Sequence, residues 1–259
     1  MTDGRERVET RLYVEADLSD GAAVGLDPAR AHFLRSVLRL KRGAALAVFN
    51  GRDGEWLARI DAMGKGWASL LVETRRREQE AGPDLWLVFA PIKRARLDFL
   101  VEKSVELGVS ALCPVLTQHC VVQRVNLERL AANAREAAEQ CERLNVPEVR
   151  EPRRLTDLVG EWPADRRLLV CAESGPAEPI AEVLAAAVGD PAARRAGWAV
   201  ATGPEGGFTR SELDGLRKLP FVTLVGLGPR VLRADTAALA ALACWQAFRG
   251  DGAERPPFR

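Results

Sequence analysis

No stretch of this 259-residue sequence is apolar for long enough to cross a bilayer. The longest runs, such as Thr236 to Phe248, fall short of the roughly 20 residues a spanning helix needs. The first residues, Met1 to Thr10, are charged and show no apolar core or cleavage pattern, so export is not expected and a soluble cytoplasmic protein is. Histidine is nearly absent. His32 and His119 stand alone, neither with a second ligand close in sequence, so no metal is expected. The cysteines, Cys113, Cys120, Cys141, Cys171 and Cys244, are odd in number, contain no C-x-x-C and lie mostly in apolar segments, which fits reduced thiols rather than a disulfide framework. An excess of charge is missing too. Lys and Arg total 37 against 36 Asp and Glu, so the net charge of +1 does not advertise nucleic-acid binding. Internal repeats and low-complexity tracts are also absent.

What is present is ordinary globular material, 47% hydrophobic and 28% charged, enough for a small domain beside a medium one. From Arg11 to about Thr74 the chain reads as short strands separated by turns. Ala45–Phe49 and Glu55–Ile60 flank Asn50-Gly51-Arg52-Asp53-Gly54, a hairpin connection with glycine where positive φ is needed. Trp67–Val72 is a further strand. One helix interrupts them: Pro28 suits a first turn after Asp27, and Phe33, Val37 and Leu40 recur at helical spacing as its apolar face. His32, Arg35 and Arg39 share a separate polar face. The pattern predicts a small β-barrel with one helix, followed by a charged linker over Arg75–Asp84 that holds Gly82-Pro83.

Beyond the linker the rhythm becomes strand, helix, strand, helix. Leu85–Ala90, Ala111–Leu116, Arg167–Ala172, Trp198–Thr202 and Phe221–Val225 are apolar strands. Helices are predicted from Leu97 towards Gly108, from Leu127 to Cys141, over Ile180–Val188 and Ser211–Lys218, and over Thr236–Phe248. Such alternation implies an α/β fold, a parallel sheet covered on both faces. The last helix, with Leu239, Leu242, Ala243, Trp245 and Phe248, is apolar on nearly every face, so it must be buried, and a subunit interface is a reasonable place for it.

In an open parallel sheet ligands collect beyond the carboxyl ends of the strands. Two glycine-rich loops stand at that position. One is Thr202-Gly203-Pro204-Glu205-Gly206-Gly207-Phe208, followed by a Thr209/Glu212 capping box. The other is Gly226-Leu227-Gly228-Pro229-Arg230-Val231-Leu232-Arg233-Ala234-Asp235-Thr236. Neither matches a P-loop or a dinucleotide fingerprint. Either alone is a tight turn; both together, each ending a strand and opening a helix, point to a ligand site.

The sequence resembles the RsmE family of ribosomal RNA methyltransferases, within the SPOUT superfamily, which make 3-methyluridine in the small subunit. Six strings carry the resemblance, in family order across nearly the whole chain: His32-Phe-Leu-Arg-Ser-Val-Leu-Arg39, Phe49-Asn-Gly51, Lys103-Ser-Val-Glu-Leu-Gly-Val109, Glu139-Gln140-Cys141, Gly203-Pro-Glu-Gly-Gly207 and Leu227-Gly-Pro-Arg-Val-Leu-Arg233. Three positions depart from the family pattern. Ala234-Asp235 stands where threonine and glutamate are common, Glu142 where glycine is usual, and Gln118-His119-Cys120 replaces a Glu-Arg-Ser type string.

The resemblance implies an N-terminal PUA-like RNA-binding β-barrel over residues 1–76 and a SPOUT-type trefoil-knotted α/β domain over 77–259. Pattern reasoning alone argues against a knot. It further implies a homodimer, S-adenosyl-L-methionine as cofactor, and 16S rRNA or an assembled small ribosomal subunit as partner. Thr202, Gly203, Pro204, Glu205, Gly206 and Gly207 would hold the donor from one loop. Leu227, Gly228, Arg230, Val231, Leu232, Thr236 and Ala237 would hold it from the other. His32, Arg35, Arg39, Arg124, Gln140 and Arg143 are candidates for RNA contact, with ordinary solvated charge as the alternative for the arginines.

Uridine N3 carries a proton at neutral pH, so the enzyme must favour the deprotonated uracil and align N3 with the sulfonium methyl. Arg233 is the candidate for stabilising charge on the uracil carbonyl oxygens; a salt bridge to Asp235 or a phosphate contact is the alternative. Asp235 or Glu205 would act as base or orient a water. Asp235 equally suits a helix N-cap, and Glu205 equally suits ordering its own loop. The rival functions are a non-catalytic RNA-binding ribosome-assembly factor, a nucleotide-dependent oxidoreductase, and a methyltransferase of the same superfamily acting on transfer RNA or another rRNA atom. The oxidoreductase lacks its fingerprint after the first strand.

Overall fold

The computed structural model describes residues 6–173, 175–252 and 254. They form two compact units. The first holds residues 6–81 with 138–146, and the second holds 82–137 with the described residues from 147 onward.

The first unit is built on a five-stranded sheet in the order β1-β3-β4-β5-β2. Its elements are β1 (Arg11–Tyr13), β2 (Ala23–Leu26), α1 (Pro28–His32), β3 (Ala45–Phe49), β4 (Glu55–Gly64) and β5 (Trp67–Arg77). The β3–β4 hairpin pairs Ala45 with Arg59 and Phe49 with Glu55. Its turn is held by the Asn50 side-chain oxygen, which accepts the Arg52 and Asp53 amides at 3.0 and 2.9 Å. Gly54 closes the turn where no side chain fits, since a Cβ there would lie 2.2 Å from the Arg77 carbonyl. Strand β5 continues through Arg75–Arg77, where a linker was expected: Trp56 pairs with Arg75 and Glu55 with Arg77. The buried core takes alternate residues from the strands, among them Leu12, Leu46, Val48, Ile60, Leu70 and Val72.

Helix α1 starts as expected. Asp27 accepts the Ala29 and Arg30 amides, and Pro28 occupies the first turn. Its apolar face differs from the expectation. Phe33–Val37 winds as a π-helical turn, with the Leu38 amide bonded to the Phe33 carbonyl. That wider turn breaks the 3.6-residue phase. Ala31 and Leu34 face the core, while Phe33 and Val37 are 38% and 59% exposed.

The second unit is an α/β layer structure with a wholly parallel sheet, as predicted. Its strands are β6 (Leu85–Phe89), β7 (Ala111–Leu116), β8 (Glu148–Val149), β9 (Arg153–Arg154), β10 (Arg166–Cys171), β11 (Glu178–Pro179), β12 (Gly197–Thr202) and β13 (Val222–Gly226). The order is β11-β13-β10-β12-β6-β7-β8, with β9 also on β7. The helices are α2 (Arg94–Glu106), α3 (Leu127–Gln140), α4 (Leu155–Gly160), α5 (Ile180–Val188), α6 (Pro191–Arg195), α7 (Arg210–Leu216) and α8 (Ala234–Arg249). All six residues of β12 are buried, which is why the sequence there is a continuous apolar run rather than an alternation.

Helix α8 packs against α2 and α5. Ala238, Ala241, Leu242 and Trp245 are buried, but Ala243, Ala247 and Phe248 are exposed. Within this chain one face of α8 is buried and the other, with Ala243, Ala247 and Phe248, is exposed.

Candidate active site

The parallel register brings the carboxyl ends of β7, β10, β12 and β13 to one edge of the second unit's sheet. The loop after β12 leaves with Thr202 buried, its carbonyl accepting the Ala90 amide at 3.0 Å. The Gly207 amide then bonds to the Pro204 carbonyl at 2.9 Å, closing a tight turn. Gly207 has φ +66°, the left-handed region in which a side chain is strained. Thr209 caps α7, and Glu212 completes the predicted capping box.

The loop after β13 runs Gly226 to Arg233. Leu227 and Leu232 are half-buried, Gly228, Pro229 and Arg230 are exposed, and Val231 is 84% exposed. A valine so bare costs free energy in water and is suited to covering an apolar ligand surface. At the start of α8, Thr236 is exposed and Ala237 half-buried.

Sequence reasoning passed over two residues that follow β10 and lie near these loops. After β10, the Ala172 amide bonds to the Val225 carbonyl at 2.9 Å. The Glu173 carboxylate lies 3.6 Å from where a Cβ on Gly207 would stand, and Ala177 lies 3.9 Å from one on Gly226. Glu173 and Ala177 thus each lie beside one of the two glycine-rich loops. The only signal for them is their place after a central strand, since neither Glu173 nor Ala177 belongs to a motif.

For the candidate catalytic residues the structure sets aside two of the alternatives, the salt bridge and the N-cap. Arg233 is exposed and stands at the N-cap of α8 with no side-chain cap bond. Among the described residues it makes no ion pair, so the salt bridge to Asp235 is not formed. Asp235 is not the N-cap either: it lies one residue inside the helix, and its carboxylate accepts the Thr236 amide at 3.0 Å. Its negative charge there complements the positive end of the helix. Glu205 is exposed at the tip of its loop. Cys120, beside this loop, is buried, and burial pushes its thiol above the ordinary range, so it stays protonated near neutral pH.

The geometry fits a donor with an adenine ring and a polar tail. Glycines in the two loops admit close approach, and half-buried Leu227 and Leu232 beside the exposed Val231 offer apolar surface. Among the described residues no group of three His, Cys, Asp or Glu side chains is placed to hold a metal ion. No helix there is long and apolar enough to cross a membrane.

The RNA-contact candidates divide between the units. In the first, His32, Arg35 and Arg39 are exposed, Arg39 adopting φ +56°, and Gln140 is exposed at the end of α3. Arg143 is half-buried and its carbonyl accepts the Arg11 guanidinium at 2.7 Å. In the second unit, Arg124 is exposed in the loop after β7.

An RNA methyltransferase domain model matches residues 79–246, and an RNA methyltransferase PUA domain model matches residues 26–72. The chain is 30% identical over 234 residues to the ribosomal RNA small subunit methyltransferase E of Rickettsia conorii, covering 90% of this chain and 93% of that one. It is 32% identical to the same-named protein of Synechocystis over 235 residues, covering 90% of this chain and 76% of that one. Among solved structures, a ribosomal RNA small subunit methyltransferase E from Neisseria gonorrhoeae bound to S-adenosyl methionine superposes with a TM-score of 0.81 at 28% identity, covering 93% of this chain and 98% of that one.

Proposed function

The chain belongs to the RNA methyltransferase family, the ribosomal RNA small subunit methyltransferase E group within it, and from that premise we propose that it methylates N3 of a uridine in 16S rRNA. Methylation of 16S rRNA from S-adenosylmethionine is its activity; the uridine and the N3 atom are the finer reading. The observation that carries it is the pair of glycine-rich loops, Gly203–Gly207 and Leu227–Leu232, at the carboxyl edge of a parallel sheet, with Glu173 beside Gly207 and Ala177 beside Gly226.

When bound, S-adenosylmethionine supplies a methyl carbon made electrophilic by its sulfonium. The loop backbones from Gly203 to Gly207 and from Leu227 to Leu232 would hold the donor, with Thr202, Arg230, Thr236 and Ala237 at their edges. The rest is the chain's own work. Uracil must lose its N3 proton, and the resulting charge spreads over two carbonyl oxygens. Arg233, exposed at the N-terminus of α8 and without an ion partner among the described residues, is free to meet that charge. Asp235 and Glu205 remain the carboxylates available to take the proton or orient a water. Asp235 has one oxygen committed to the Thr236 amide, which leaves the other for this role.

The N-terminal part, expected over residues 1–76, would hold RNA through His32, Arg35 and Arg39. The C-terminal part, expected over 77–259 and knotted, would carry the transfer. The exposed Ala243, Ala247 and Phe248 of α8 support a homodimer, since an apolar strip of that kind is covered at subunit interfaces. Ribosomal RNA as partner favours a cytoplasmic location.

The test is methyl transfer with mass mapping. The protein and labelled S-adenosylmethionine are incubated with small subunits lacking the modification, and the nucleosides are analysed after digestion. Label in 3-methyluridine is expected. Label in another nucleoside would keep the donor and overturn the target atom. No label, with no donor binding, would leave an RNA-binding assembly factor.

A further inference from the structure

The loop after β7 grips the donor loop through two adjacent residues. The His119 ring nitrogen Nδ1 lies 2.9 Å from the Gly206 carbonyl oxygen. The preceding residue, Gln118, donates its amide to Glu212 Oε1 at 2.8 Å, while Glu212 Oε2 accepts the Thr209 amide at 2.8 Å. The segment from Gly206 to Thr209 is therefore tied at both ends to the same dipeptide. The dipeptide is itself anchored: the Cys120 amide bonds to the Thr117 carbonyl at 3.1 Å, and the buried Cys120 thiol donates to the Val122 carbonyl at 3.0 Å. The two residues lie close, since a Cβ on Gly206 would stand 3.3 Å from the His119 Cβ and 3.6 Å from its ring Nδ1.

A carbonyl oxygen only accepts, so Nδ1 must carry the hydrogen and donate it to Gly206. From this arrangement we propose that His119 is a positioning residue for methyl transfer, holding the Gly203–Gly207 loop in its donor-binding shape through the Nδ1–H bond to Gly206. It is one of the positions where the sequence departs from the family it resembles, which commonly has arginine there. The proposal rests on the reading of that loop as the S-adenosylmethionine site.

Two substitutions separate the donor nitrogen from the rest of the ring. His119→Ala removes the bond. His119→Asn places an amide nitrogen close to where Nδ1 stood, without the remainder of the imidazole. The first readout is hydrogen exchange of residues 203–208 in the protein without donor, and the second is S-adenosylmethionine affinity by calorimetry. His119→Ala should speed exchange and weaken affinity about 3- to 10-fold, the worth of one hydrogen bond. His119→Asn should restore both to near the wild-type values. Gly206→Ala, which crowds the ring, should behave as His119→Ala does. If His119→Ala leaves exchange and affinity unchanged, or His119→Asn matches His119→Ala in both, the positioning role is overturned. If the wild-type protein binds no S-adenosylmethionine while His119→Ala still speeds exchange, the clamp stands and the donor reading falls.

Discussion

The Arg11 guanidinium meets the Glu55 carboxylate at 2.6 Å, with side chains only 10% and 8% exposed. The same guanidinium donates to the Ala138 and Arg143 carbonyls at 2.8 and 2.7 Å, which ties the strand β1 to residues 138–146 within the first unit. Burial holds the Arg11 pKa below its ordinary value, although the Glu55 bond pulls it back up. Arg76 and Arg77 approach the same carboxylate at 3.4 and 4.0 Å. Removing Glu55 leaves several cations facing one another in a poorly hydrated place. Glu55→Ala should therefore cost the first unit about 3–5 kcal/mol, the usual penalty for breaking a buried pair from one side. Urea denaturation followed by hydrogen exchange in β4 measures it, and a loss below about 1 kcal/mol would mean that water reaches the cluster.

Glu142 shows what a departure from a family pattern costs. It stands where the resembled family usually has glycine, and it adopts φ +61°. A side chain in that region costs about 1–2 kcal/mol. Glycine would relieve this but would lose more entropy on folding, about 0.5–1 kcal/mol. Glu142→Gly should therefore raise stability by about 0.5–1 kcal/mol. The bond from the Arg77 guanidinium to its backbone carbonyl, 2.8 Å, should survive. Thermal unfolding is the check. A lowered midpoint would show that the Glu142 side chain contributes more than its backbone costs.

Asp53 gives the same unit an acid limit. Its carboxylate accepts the Leu18 amide at 2.9 Å and the Asn50 side-chain amide at 2.6 Å. The Leu18 bond, then the Asn50 bond, hold its pKa below the ordinary carboxylate value. A depressed folded-state pKa means the stabilisation is whole above about pH 4 and is lost as pH falls through the folded value. Asp53→Asn should therefore be less stable than wild type at pH 6, and the gap should narrow at pH 3. Parallel urea titrations at both values test it; a gap that does not change with pH would remove the carboxylate's charge from the account.

Much of this fold was legible because burial writes itself into sequence. The continuous apolar runs of β6 and β12 announced strands covered on both faces, and the Thr209/Glu212 spacing announced a capped helix. The first helix was placed correctly but phased wrongly, because one π-helical turn after His32 shifts every later side chain. Arg75–Arg77 looked like a linker, since charge in a strand is indistinguishable from charge in a loop until its cross-strand partners are known. The two candidate loops were picked out by their glycines. Glu173, Ala177 and His119 were not assigned to the donor site, because nothing local marks a residue whose role is to touch a loop distant in sequence.

Arg39 separates folding from RNA contact. It is exposed and left-handed at φ +56°, so glycine can replace it without disturbing the backbone. Arg39→Gly should keep the fold and raise stability by about 0.5–1 kcal/mol, the same net of strain relief over glycine entropy as at Glu142. If Arg39 meets a phosphate, the slope of log affinity for 16S rRNA fragments against log salt should fall by about 0.7–0.9. An unchanged slope would return Arg39 to ordinary solvated charge.

Arg233 decides how the site handles charge. The guanidinium stands at the positive end of α8 and makes no ion pair among the described residues, so two roles compete for it. If it stabilises developing charge on the uracil oxygens, its contribution exists only in the transition state. Arg233→Ala should then lower kcat by about 100- to 1,000-fold while S-adenosylmethionine affinity and the RNA KM stay within a few-fold. Arg233→Lys should recover part of the loss, because a point charge replaces a planar fork. If it holds a phosphate instead, the same substitution should raise the RNA KM, reduce the salt dependence by about one charge and leave kcat largely intact. Steady-state kinetics at two salt concentrations separates the outcomes. A rise in KM with kcat preserved would remove Arg233 from the chemistry and leave Asp235 and Glu205 as the groups to examine at the uracil.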